Sequence, residues 1–154
     1  MTVLDFADYR MRMRAGVPTT QRSYYLVGLT HGVRAAAADR DLRRDLAAAI
    51  RAVDRQALVH DPVETWHRPS APTDEDRLEE FHRLTSLAAG SEVCVAWLPD
   101  RDSITSAAAE LQAAHHTNAT VVAITPHQDD FLVRAFATVV LPDVAAFTEW
   151  VQAA

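Results

Sequence analysis

The feature that most constrains this chain is an alternation. Short apolar runs rich in β-branched and aromatic residues take turns with longer stretches whose apolar residues recur every three or four positions. The short runs are 23–29, 57–60, 92–98, 120–125 and 138–141, and glycine or proline punctuates them at Gly28, Gly32, Pro62, Pro99 and Pro126. Runs of this length and composition read as strands buried on both faces. Between them, 34–54 carries Ala38, Leu42, Leu46, Ala49, Ile50 and Val53 on one helical face, with charges on the other. Thr73, with Asp76 three residues later, predicts a capped helix that Leu78, Phe81, Leu84 and Leu87 carry on to Gly90. A helix capped by Asp102 or Ser103 runs to about His116, a short one spans 129–136, and one over 144–152 turns Phe147, Trp150 and Val151 inward. The prolines at 62, 69 and 72 mark the segment after the second strand as an irregular loop.

Strands alternating with amphipathic helices require right-handed crossovers and a parallel sheet covered on both faces. The expectation is therefore an α/β fold: a doubly wound, flavodoxin-like or Rossmann-like sheet of five parallel strands. Residues 22–154 form that domain. Residues 1–21 precede it as a helical extension, with Leu4, Phe6 and Met13 as packing contacts. In such a sheet, ligands bind beyond the carboxyl ends of the strands, beside the switch in strand order. The loops 28–32, 60–66, 98–106 and 125–130 should converge there.

Composition limits the partners. The chain of 154 residues is 49% hydrophobic, and its 15 basic residues, all arginine, are outnumbered by 21 acidic ones, for a net charge of −6. A nucleic-acid polymer needs a basic footprint that this balance does not supply. No apolar stretch reaches the roughly 18 residues of a membrane span, and the N-terminus lacks the apolar core of a signal peptide. These readings point to the cytoplasm and to no membrane partner. Cys94, the single cysteine, lies within an apolar run and reads as a buried, inert thiol. The seven histidines show no ligand spacing, with His115 and His116 adjacent and therefore divergent on a helix, so no metal is expected and no cofactor. The glycines at 28 and 32 are too few for a dinucleotide-binding fingerprint.

The most informative segment is 100–111, Asp-Arg-Asp-Ser-Ile-Thr-Ser-Ala-Ala-Ala-Glu-Leu. A helix start offers unpaired backbone N–H groups, and Ser103, Thr105 and Ser106 add hydroxyls, so the segment can either hold an anion or simply cap itself. Glu110 shares a helical face with Ser103, Ser106 and Ala107, and its side chain leans back toward the helix start. Its three and four neighbours, Ser106, Ala107, Ala113 and Ala114, supply no counter-charge. Packed inward, this carboxylate would be desolvated and its pKa raised, a condition that suits a nucleophile. Facing solvent, it would be an ordinary surface glutamate. Trp66 can stack on a base or close an edge of the core.

These residues carry a resemblance. The first strand ends Tyr25-Leu26-Val27-Gly28, Asp61-Pro62 follows the second, and the third leads through Val93 to Glu110 and Ala114. Ala123-Ile124-Thr125-Pro126, Asp130-Phe131-Leu132-Val133-Arg134, Leu141-Pro142-Asp143 and Phe147-Thr148-Glu149-Trp150 continue it. Over most of 24–151 the chain resembles the nucleoside 2-deoxyribosyltransferase-like family of deoxyribosyltransferases and nucleotide N-glycosidases. That family opens the helix after the third strand with Ser-x-Gly-Thr-x-x-Glu, whose glutamate attacks the anomeric carbon. Aligned on Glu110, this chain reads Ile104-Thr105-Ser106-Ala107-Ala108-Ala109-Glu110, keeping the glutamate but not the serine, glycine or threonine. The family's acidic residue early in the preceding helix is also missing, since Phe81-His82-Arg83-Leu84 holds no carboxylate.

The resemblance implies cleavage or transfer at the N-glycosidic bond of a nucleoside or its 5′-monophosphate. Glu110 would be the nucleophile, Tyr25 would position it, and Asp61 would assist the base or sugar. Gly28, His31, Trp66, Asp102, Ser103, Ser106 and Asp130 would contact substrate, with Arg101 and Arg134 reaching a phosphate. It also implies a homodimer or higher homo-oligomer. The altered motif keeps a second reading open, a non-catalytic nucleotide-binding or assembly module of the same fold.

Overall fold

The structure, a computed structural model, describes residues 22–27, 37–65 and 71–154. The expected N-terminal extension, together with Gly28, His31 and Trp66, lies outside the described residues. In chain order the elements are β1 (Ser23–Leu26), α1 (Ala37–Val53), β2 (Leu58–His60), α2 (Pro62–Thr65), α3 (Asp74–Gly90) and β3 (Val93–Trp97). They continue with α4 (Arg101–His116), β4 (Thr120–Ile124), α5 (Phe131–Phe136), β5 (Val139–Leu141) and α6 (Val144–Ala153).

All five strands are parallel, in the order β2-β1-β3-β4-β5. The chain lays β2 on one side of β1 and then crosses to β3 on the other, so the order switches at β1. The expected doubly wound sheet is the observed one. Side chains alternate across it. Tyr25, Val27, Cys94, Ala96, Val121 and Ala123 face a layer made by α3, α4 and α5, through Leu84, Ala88, Ile104, Ala107, Leu111, Ala114 and Val133. Tyr24, Leu26, Val93, Val95, Val122 and Ile124 face α1 and α6, through Leu46, Ala47, Ile50, Phe147 and Val151.

Local rules explain most boundaries. Thr73 caps α3 in a reciprocal box with Asp76, as the spacing predicts. The cap of α4 is Asp100, not Asp102 or Ser103: its carboxylate accepts from Ser103 N at 2.7 Å, and Ser103 takes the third helical position instead. Asp is as good a cap as Ser, and with Pro99 just ahead of it the helix begins two to three residues earlier than expected.

The segment after β2 is not wholly irregular. Pro62 opens the single turn α2, because proline suits a first helical position and Asp61 Oδ1 accepts from Val63 N at 3.0 Å. Three residues expected to face inward do not: Leu78 (59% exposed) and Phe81 (39%) on α3, and Val53 (47%) at the end of α1. Ala47, one turn before Ile50, is buried on α1 instead. Among the described residues no helix is long and apolar enough to cross a membrane.

Candidate functional site

The buried stripe of α4 is Ile104, Ala107, Glu110, Leu111 and Ala114. A glutamate on this stripe is an exception to the pattern around it, since burying a carboxylate without a partner is costly. Glu110 is 0% exposed, which removes the solvent-facing alternative. The hydroxyl of Tyr25 donates a hydrogen bond to Glu110 Oε1 from β1, 85 residues earlier in the chain. Alanines at 107 and 114 keep that helical face thin where it meets the strand.

The sheet register sets what surrounds this pair. Tyr25 lies opposite His60 on β2 and Cys94 on β3, so the three form a row across one face of the sheet. The Tyr25 and His60 rings stack at 6.1 Å with planes 20° apart. Burial, above all, and the neighbouring Glu110 carboxylate push the Tyr25 hydroxyl well above its ordinary value. It therefore stays protonated, and a donor, at any physiological pH. Burial and Glu110 likewise push up the Cys94 thiol, which is fully buried, so the thiol is held in its unreactive form. His60 is lowered by burial and by the Arg83 charge, against an opposing pull from Asp61, and its neutral form is favoured.

Asp61, at the carboxyl end of β2, is engaged differently. Its Oδ1 accepts from Arg43 Nε at 2.9 Å as well as from Val63 N. Arg43 also donates through Nη1 to Val27 O at 2.7 Å and through Nη2 to Leu26 O at 3.2 Å. The guanidinium, on α1, thus joins the ends of β1 and β2. The sequence reading assigned all the charges of α1 to its outer face and missed Arg43. The signal was present: Arg43 stands three, four and seven residues before Leu46, Ala47 and Ile50, on the buried stripe itself.

The start of α4 is occupied by the chain's own groups. Asp100 fills it, held below the usual carboxylate range by the backbone N–H and hydroxyl of Ser103. Ser103 Oγ donates to Asp100 O at 2.6 Å, Thr105 Oγ1 to Arg101 O at 3.1 Å and Ser106 Oγ to Asp102 O at 2.7 Å. Of the two readings of this segment, an anion site or a helix start that caps itself, the structure shows the second: the hydroxyls turn back onto the helix. Asp102 is exposed beside them. Arg101 lies 3.9 Å from Asp130, whose carboxylate caps α5 by accepting from Leu132 N at 2.9 Å, and Arg134 is exposed on that short helix. The structure thus gathers the proposed site residues in three places. Tyr25 and Glu110 meet beneath the interior strand β1, Asp61 is held by Arg43 at the end of β2, and Asp102, Ser103, Ser106, Arg101, Asp130 and Arg134 lie near the start of α4 and on or beside α5. Among the described residues no three His, Cys, Asp or Glu side chains are placed to hold a metal ion.

No family model matches the sequence, and no curated protein does. Solved structures do match the fold. A conserved protein from Enterococcus faecalis V583 superposes with a TM-score of 0.65 at 17% identity, covering 87% of this chain and 99% of that one. A 2-deoxyribosyltransferase from the psychrotolerant bacterium Bacillus psychrosaccharolyticus superposes with a TM-score of 0.63 at 14% identity, covering 84% and 90%. The chain shares the fold of both.

Proposed function

We propose that this protein cleaves the N-glycosidic bond of a nucleoside, releasing the base to water or passing the sugar to a second base. The observation that carries this reading is the fully buried Glu110, on an alanine-lined helix face, with the Tyr25 hydroxyl donating to it from the strand at which the sheet order switches. The shared fold with a 2-deoxyribosyltransferase and the sequence resemblance support it.

The chemistry follows from charge development. Breaking the bond between the sugar and the base nitrogen passes through an oxocarbenium-like state, so a carboxylate facing the anomeric carbon lowers the barrier. In this reading one Glu110 oxygen bonds to the anomeric carbon as the carbon–nitrogen bond breaks, and the base leaves with the electron pair and picks up a proton. Water or an acceptor base then attacks the same carbon and frees Glu110. Tyr25, held neutral, fixes the carboxylate's orientation without competing for its charge.

Asp61 enters as an acceptor for hydrogen bonds from the base or sugar rather than as an acid, in keeping with its place beside the Arg43 guanidinium. A 5′-phosphate at the start of α4 would have to displace the Asp100 carboxylate, so the reading centres on the uncharged nucleoside. The domain of 22–154 acting as a homodimer belongs to the same proposal, and light scattering tests it.

The test is a panel of nucleosides and 5′-monophosphates with free base followed by chromatography. Base release by the wild type and none by Glu110→Ala supports the reading; equal release by both removes Glu110 from the mechanism.

A second reading, a binding module that has lost its chemistry, is favoured by one observation. Ser106 and Ala107 stand where the family resemblance expects glycine and threonine, and the Ser106 hydroxyl is turned onto Asp102 O. A thermal shift with nucleosides in the absence of any base release supports this alternative.

A further inference from the structure

Arg43 belongs to no part of the reaction just described, yet it is the most costly side chain on its helix to bury. It is 8% exposed, on the stripe that α1 presents to the face of the sheet opposite Glu110. An apolar residue there would complete the stripe, and a buried ion pair replaced by apolar groups is often no less stable. A reason for the arginine should therefore lie in what its geometry holds. Its planar fork directs Nε, Nη1 and Nη2 at three acceptors on two strands: Asp61 Oδ1, Val27 O and Leu26 O. Leu26 and Val27 directly follow Tyr25 in the chain, and Val27 N continues the ladder to Val95 O at 2.9 Å. The two carbonyls are at the end of β1.

We infer that Arg43 is a positioning residue that locks the end of β1 to β2 and thereby fixes the Tyr25 hydroxyl on Glu110 from the far side of the sheet. The importance of that lock for turnover rests on the glycosidic reading above; the lock itself does not. Releasing the two carbonyls leaves the backbone next to Tyr25 held by the ladder to β3 and no longer tied through Arg43 to Asp61, and a small shift there moves a hydroxyl that sits at the far end of a long, rigid ring. Lysine cannot replace the fork, since a single ammonium does not match three acceptors in a plane. The Arg43 charge is also felt at the Tyr25 hydroxyl, opposing the rise that burial imposes.

The experiment labels tyrosine with carbon-13 at Cζ, whose resonance reports the hydrogen bonding of the phenol. Of the three tyrosines, Tyr25 is assigned by its loss in Tyr25→Phe. In Arg43→Lys the Tyr25 resonance should move from its wild-type position toward that seen in Glu110→Ala. In the same variant kcat should fall about tenfold or more, with KM within about threefold. Asp61→Asn, nearly isosteric, is the second variant and should move the resonance in the same direction; where only one of the two folds, its resonance decides. A purely structural role would lower the melting temperature and leave the resonance in place, and that result overturns the proposal. A moved resonance in a protein that releases no base from any nucleoside leaves the lock standing and removes the glycosidic reading instead.

Discussion

Among the described residues, two ionisable side chains, Glu110 and Arg43, sit on apolar helix stripes on opposite faces of one sheet, and both are tied to β1. Glu110 on α4 meets a hydroxyl from the middle of the strand, and Arg43 on α1 meets a carboxylate and two carbonyls at its end. The difference lies in what each partner does to the charge. Arg43 pairs with an opposite charge across a planar fork, which fixes backbone. Glu110 receives a neutral donor whose own ionisation is suppressed, which orients its carboxyl group. The first arrangement suits a scaffold and the second suits a nucleophile.

The largest expected effect that separates the two is on stability. Arg43→Met leaves the Asp61 carboxylate buried without its guanidinium and should cost about 3–5 kcal/mol. Glu110→Gln keeps the shape and an acceptor for Tyr25, and should be nearly neutral or slightly stabilising. Urea denaturation of both variants checks this, and equal losses would erase the distinction between them.

A smaller effect is expected for Tyr25→Phe, which removes the phenol donor from a buried acceptor, at a cost of about 1–3 kcal/mol. The same variant should change the alkaline limb of stability. Because the folded Tyr25 is raised above its unfolded value of 10.0, its contribution is complete below pH 10 and is lost as pH rises toward the folded value. The wild type should therefore lose more stability than Tyr25→Phe on going above pH 10, read from melting temperatures. The buried Cys94 thiol adds to the alkaline loss in both proteins.

These pairings show how much of the molecule could be read from its sequence. Strand runs, capping by Thr73 and the parallel alternation depend on neighbours within a few residues, so the five-stranded doubly wound sheet was legible. Glu110 stood out as a glutamate among Ala107, Leu111 and Ala114, although a solvent-facing position stayed open, and Arg43, before Leu46, Ala47 and Ile50, carried the same signal but was missed. Their partners were not legible, because Tyr25 lies 85 residues from Glu110 and Asp61 lies 18 from Arg43, and only the packing of helices onto the sheet brings each pair together. Tyr25 was reached through family resemblance rather than through spacing. The start of α4 was ambiguous for a local reason: Ser103, Thr105 and Ser106 can act as ligand donors or cap the helix, and serine and threonine hydroxyls at helix positions readily return to backbone carbonyls, as they do here.

The smallest expected effect concerns His60, stacked on Tyr25. Its folded value is lowered from 6.5, so its contribution is complete above pH 6.5 and is lost as pH falls below it, when protonation places a charge against the buried ring. His60→Phe keeps the stack and removes the titration. Its stability should fall less than that of the wild type below pH 6.5, and identical profiles would detach His60 from the Tyr25 environment.

On the proposed reading, Glu110 is a nucleophile held in place by Tyr25. The most direct test is release of free base from a panel of deoxynucleosides by the wild type and by Glu110→Gln, which preserves fold and volume. The account predicts base from the wild type and a loss of roughly a thousandfold or more in the variant, as removal of a covalent nucleophile produces. Release undiminished in Glu110→Gln, or none from the wild type on any member of the panel, would contradict it.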